Sequence, residues 1–141
     1  MGRSLESQLA SLAGEYRLEV MYAFGSRSKE IARRLQGAES PPESQSDVDI
    51  GVQPFRGEHL TARDRVRITL ALEELLDLPR VDLVIVPEAD PFLAAEVVRG
   101  ELLWAADLDA EAETQLHYLR RAGDLAPFFR QRWQDLMGSE L

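Results

Sequence analysis

The sequence predicts an α+β domain, α/β-like in its alternation, in which a mixed β-sheet is covered by helices mainly on one face. Three observations predict it. Apolar spacing switches between helical and extended periods along the chain, giving the order α-β-α-β-α-β with helical closure. The length of 141 residues suits one domain, and 45% apolar content supplies a core that a disordered chain would lack. The run Val81, Leu83, Val84, Ile85, Val86 is apolar at successive positions, as in a strand covered on both faces, and predicts a central strand.

The first element is a helix from Leu5 to Tyr16, with Leu5, Leu9, Leu12 and Ala13 on one stripe. Leu18 to Phe24 alternates as a strand, Val20, Tyr22 and Phe24 facing one side and Met21 and Ala23 the other. Gly25-Ser26 ends it. A helix over 27–36 buries Ile31, Ala32 and Leu35, with Gly37 as its stop signal. The segment from Gly37 to Ser46 has the Pro, Ser and Glu content of a loop. Asp47 to Gln53 is the second strand, closed by Pro54. Thr61 is the expected N-cap of a helix reaching Leu78, with Ile68, Ala71, Leu72 and Leu75 inward. Arg80 to Val86 is the third strand, Pro91 to Val98 a short helix with Pro at its start, and Gly100 to Ala105 a short strand. A C-terminal helical segment at about 111–137 repeats apolar residues at Leu119, Ala122, Ala126, Phe129, Trp133 and Leu136. Gly123 and Pro127 interrupt it and imply a kink or a break. One domain over residues 1–141 accommodates all of this.

The formal net charge of -9 disfavours binding to bulk nucleic acid. The arginines at 33–34, 63–67 and 120–121 sit beside acids on helices and read as solvated faces. The absence of cysteine removes disulfides, thiolate catalysis and cysteine zinc sites. No stretch has a signal peptide's pattern or a membrane span's length, so the expected location is the cytoplasm. His59 and His117 lack metal-ligand spacing. Phe128, Phe129 and Trp133 read as core or as a helix-docking face.

The chemistry lies elsewhere. Asp47 and Asp49 are two apart on a strand, so their carboxylates share a face while Val48 and Ile50 anchor the other. Two carboxylates side by side are costly without a cation between them. An oxygen-rich site of this kind favours Mg²⁺, which completes its shell with water and substrate phosphates. Asp82 breaks an apolar strand. It reads as a third metal ligand or a general base, or else as a strand-end acid paired with Arg80. Gly25-Ser26 stands where a strand becomes a helix. There glycine lets backbone approach a phosphate and the helix start offers free N–H groups. Arg27 and Lys29 would neutralise phosphate charge.

Phe24-Gly-Ser-Arg27, then Ser46-Asp-Val-Asp-Ile-Gly-Val52, then Val81-Asp-Leu-Val84, resembles the polymerase-beta-like nucleotidyltransferase superfamily, and within it the small MNT branch of antitoxins that partner HEPN-domain toxins. The resemblance runs from about Leu5 to Trp104. It implies that Gly25 and Ser26 contact a nucleoside triphosphate, that Asp47 and Asp49 bind Mg²⁺, and that Asp82 completes the catalytic triad. It further implies AMP transfer from ATP to a hydroxyl, with a tyrosine of a HEPN toxin as acceptor. The alternatives are a non-catalytic toxin-binding antitoxin and a transferase acting on a small molecule. A homo-oligomer is compatible with either. Two departures stand out: the run from Arg27 to Ser46 is longer than the family's usual gap, and Lys29-Glu30 replaces a frequent Arg-Gly, keeping charge but not bidentate geometry.

Overall fold

The fold is taken from a computed structural model that describes residues 4–35 and 47–138. The expected loop from Gly37 to Ser46 lies outside the described residues, as do the side chains of Leu35, Phe128, Phe129 and Trp133. Among the described residues, four strands and five α-helices follow in order: α1 Leu5–Tyr16, β1 Leu18–Phe24, α2 Ser28–Leu35, β2 Val48–Pro54, α3 Ala62–Leu75, β3 Val81–Ile85, α4 Pro91–Val98, β4 Glu101–Ala105 and α5 Leu108–Gly138, with a 3₁₀ turn at Val86–Glu88.

Local chemistry accounts for the boundaries. Ser4 caps α1 by accepting from the Ser7 N–H at 3.2 Å. Thr61 caps α3 in a reciprocal box: the Asp64 N–H donates to its hydroxyl at 3.0 Å, and the Thr61 N–H donates to the Asp64 carboxylate at 2.9 Å. Asp90 accepts from the Phe92 and Leu93 N–H groups, and Pro91 takes the first helical position of α4. α5 runs unbroken for 31 residues with Pro127 inside it, so neither Gly123 nor Pro127 splits it into two helices.

The sheet order is β3-β2-β1-β4. β1 pairs antiparallel with β2 and with β4, whereas β2 and β3 are parallel, so the sheet is mixed as predicted. One expectation needs correction. β3 lies at an edge rather than in the centre. Its apolar run reports cover on both faces: Val81, Leu83 and Ile85 pack into one apolar cluster, Val84 and Val86 into another. Burial of two faces says nothing about strands on two sides. Among the described residues three helices, α1, α2 and α3, pack on one face and two, α4 and α5, on the other. Leu9 and Leu12 of α1, Ile31 of α2 and Ile68 and Leu72 of α3 cluster with Met21, Ala23, Val48, Ile50 and Val52. Ala94, Val97 and Val98 of α4 and Tyr118 of α5 cluster with Val20, Tyr22 and Phe24. The alternation of β1 therefore feeds two cores, because both of its faces meet helices.

Polar contacts fix the second layer. The buried Tyr22 hydroxyl donates to Glu111 at 2.7 Å, and the Tyr118 hydroxyl donates to Gln53 at 3.0 Å, tying α5 to β1 and β2. Burial first, and then the hydrogen bond to Glu111, hold the Tyr22 phenol far above its usual range, so it stays a donor. α4 lies close enough to β2 that a Cβ on Gly51 would collide with the fully buried Val97. Gly51→Ala is therefore expected to destabilise the fold by about 2 kcal/mol through overpacking. Adding Val97→Ala should cost less than the two single losses summed. Urea unfolding of the single and double variants checks this; strict additivity would show that the two positions are not in contact.

Candidate functional site

Strand pairing builds the site. In the ladders Phe24 lies opposite Asp49, and Asp49 opposite Asp82. Asp49 and Asp82 thus stand side by side on neighbouring strands, on the face that carries α4 and α5. Val48 and Ile50, on the reverse face, are fully buried and hold β2 in register behind the carboxylates. Asp47 precedes β2 and is half-buried. Its carboxylate lies 3.5 Å from Nε of Arg80, and its charge acts on Asp82. Sequence reasoning offered Arg80 as a partner of Asp82; its ion pair is with Asp47.

Gly25 closes the other side. Its φ of 80° lies in the left-handed region, and a Cβ there would come within 2.5 Å of Asp49 Oδ2. Only glycine satisfies both conditions without strain. Gly25 and Ser26 are exposed, and α2 begins two residues later, its first N–H (Ser28) bonding back to the Gly25 carbonyl at 3.3 Å. Lys29 is exposed on the first turn of α2. Arg27 is placed differently from a phosphate-facing cation: it is 7% exposed, and its Nε and Nη2 donate to the two oxygens of Glu30 at 2.8 and 3.0 Å. That fork neutralises its charge inside the fold.

The electrostatics are those of crowded carboxylates. Desolvation, then the charges of Asp82, Asp47 and Glu96, push Asp49 above the ordinary aspartate range. Asp82, although exposed, is raised by desolvation and by the charge of Asp47, with Arg80 partly opposing. Glu96 of α4 escaped the sequence reading. No spacing links it to the D-x-D pair, and only the packing of α4 on β2 brings its charge near. Among the described residues no three acids stand preformed as a closed metal cage. The donor set nevertheless fits Mg²⁺: hard oxygens from mutually repelling carboxylates, a single guanidinium nearby, and a partly open face for water and phosphate ligands. Asp47 and Asp49 would hold the ion, with Asp82 beside them.

A cleft of about 800 Å³ is lined by none of these site residues. It lies where β2 and β3 end, lined by residues including Phe55, His59, His117 and Tyr118. The two histidines that sequence spacing kept apart therefore share a cleft. His117 packs edge-on against Tyr118 at 4.8 Å between ring centroids.

Two outcomes follow from the geometry. Gly25→Ala should cost about 1–2 kcal/mol in strain at positive φ, and should weaken divalent-cation binding because its methyl group displaces the Asp49 carboxylate. Thermal unfolding and calorimetric Mn²⁺ titration check the two effects; unchanged Mn²⁺ affinity would show that Gly25 does not position Asp49. Asp49 and Asp82 bind protons more tightly in the native state than at the ordinary value of 3.8. Their contribution to stability is therefore full below that value and is lost as pH rises through the raised native values. Without divalent cations, Asp49→Asn should then melt above the wild type at pH 7, the advantage shrinking toward pH 3. A scan of melting temperature against pH checks the sign.

A search of curated protein sequences finds no match. Solved structures do match. A toxin–antitoxin crystal structure with AMP-PNP contains a chain 25% identical, with a TM-score of 0.66, the alignment covering 94% of this chain and 98% of that one. A rebuilt structure of a tri-AMPylated Shewanella oneidensis HEPN toxin in complex with an MNT antitoxin matches at 24% identity and a TM-score of 0.64, covering 94% and 96%. The MntA-HepT toxin–antitoxin structure matches at 21% and 0.65, covering 94% and 97%. The family described as "Polymerase beta, Nucleotidyltransferase" matches residues 7–109, most of the chain and all three aspartates. The chain belongs to the polymerase beta nucleotidyltransferase family.

Proposed function

We propose that this chain is a Mg²⁺-dependent nucleotidyltransferase that moves AMP from ATP to a tyrosine hydroxyl of a cognate HEPN-domain toxin, and so acts as that toxin's antitoxin. The observation that carries the reading is the row Phe24, Asp49 and Asp82 across three adjacent strands, with Gly25 turning out of β1 against the Asp49 carboxylate. It sets a phosphate-approach point beside a cation site and a base. Support for the acceptor comes from the neighbours, one an ATP-analogue complex and one with its toxin tri-AMPylated. The reading places the reaction where ATP and Mg²⁺ are supplied, in the cytoplasm, and treats the chain as one catalytic domain with its helical C-terminal segment.

Each residue has a defined part. Gly25 admits phosphate oxygens close to the backbone, and Ser26 and the start of α2 offer donors to them. Lys29 adds positive charge; Arg27, held by Glu30, braces the turn instead. Asp47 and Asp49 would hold the cation, which would supply Lewis-acid stabilisation of charge on the transferring phosphoryl group. The acceptor oxygen forms a bond to the α-phosphorus as the bond from that phosphorus to the bridging oxygen breaks, and pyrophosphate leaves. The hydroxyl proton passes to Asp82, whose raised affinity for protons suits a general base better than an ordinary aspartate would.

The test is transfer of label from α-labelled ATP with Mg²⁺ and the candidate toxin. Wild type should label the toxin, and Asp47→Asn and Asp49→Asn should each lower the rate by about a thousandfold, the scale of a lost metal ligand. A wild type that silences the toxin without labelling it would leave a binding-only antitoxin. Label on a small molecule instead would make it a free-standing transferase.

A further inference from the structure

Among the described residues, no cation other than Arg80 forms an ion pair with the three aspartates. The Arg80 backbone is fixed: its carbonyl accepts the Val48 N–H at 3.2 Å, which pins it beside the start of β2. It stands two residues before Asp82, and its Nε lies 3.5 Å from Asp47 Oδ2. Its side chain is 71% exposed, so the guanidinium can move while its Cα cannot.

We propose that Arg80 is a positioning residue that serves as a built-in counter-ion, occupying Asp47 in place of a divalent cation and giving way when one binds. The inference rests on the metal-dependent reading above. The physical argument is exclusion. A guanidinium and a dication cannot both take the same carboxylate oxygen, and they repel each other at that distance. Without Arg80 the crowded carboxylates face one another with no counter-charge, so side chains would splay to relieve the repulsion. With it, the Asp47 carboxylate keeps a counter-charge until a dication replaces it. The ion pair is exposed and therefore weak, which lets a dication displace it. Arg80 thus sets the cation concentration at which the site fills.

Calorimetric titration of the full-length protein with Mn²⁺ alone, without nucleotide, tests this. Arg80→Ala should bind Mn²⁺ about fivefold more tightly than wild type, the scale of one exposed ion pair removed from competition. Arg80→Lys keeps a point charge within reach and should stay close to wild type. The gain in Arg80→Ala should vanish in an Asp47→Asn background, where there is no carboxylate to contest. Equal or weaker Mn²⁺ binding by Arg80→Ala would overturn the proposal, as would a gain that persists with Asp47→Asn. A wild type that binds no Mn²⁺ would overturn the metal-dependent function itself, and Arg80's part with it.

Discussion

The repulsion among Asp47, Asp49 and Asp82 is the constraint around which the rest of the structure is arranged. Three carboxylates on one face of a small sheet oppose folding, and the native state tolerates them because the backbone that carries them has no freedom to separate them. β2 lies between β1 and β3 and is hydrogen-bonded on both sides. Its reverse face buries Val48, Ile50 and Val52 completely. A one-residue slip of β2 would turn those three side chains toward α4 and the aspartates into the core. The register is therefore set by the hydrophobic effect on one face, and the carboxylates inherit it on the other.

The same constraint explains the glycines beside β2. Gly25 turns out of β1 directly next to Asp49, and Gly51 admits Val97 of α4 two residues further along. α4 is thereby pressed onto the sheet while its Glu96 stays near enough for its charge to act on Asp49. α5 then holds this layer from outside through Tyr22–Glu111 and Tyr118–Gln53. Stability and function pull against each other here: Asp49, which would bind a cation, is also a group whose ionisation the native state opposes.

How much of this was legible in the sequence follows from what is local and what is not. α1, β1 and α4 were readable to the residue because their signals, an apolar stripe, an alternation and a proline, are local. The site aspartates were legible because i, i+2 spacing decides which face a side chain takes whatever the strand order. Strand order itself was not legible. β3 looked central because both its faces are apolar, and only the long-range pairing with β2 alone makes it an edge. Arg27 looked like a phosphate contact because it follows Gly25-Ser26; its turn onto Glu30 depends on a side-chain rotamer that spacing does not encode. The approach of Glu96 and the convergence of His59 and His117 on one cleft are likewise products of packing between distant segments.

The edge position of β3 matters for the proposed reaction in a way that a central position would not. A general base must be reached by the acceptor hydroxyl, and a protein acceptor is bulky. Were another strand paired outside β3, its side chains would flank Asp82 on the face that the acceptor has to approach. With β3 at the edge, Asp82 remains exposed while Asp49, one strand inward, is only half-exposed. Exposure rises from Asp49, which would help hold the cation, to Asp82, which would meet what arrives from solution. A small soluble acceptor would not require that openness. A tyrosine presented on the surface of another folded protein would, because its own backbone and neighbours must come to rest against the rim of the site.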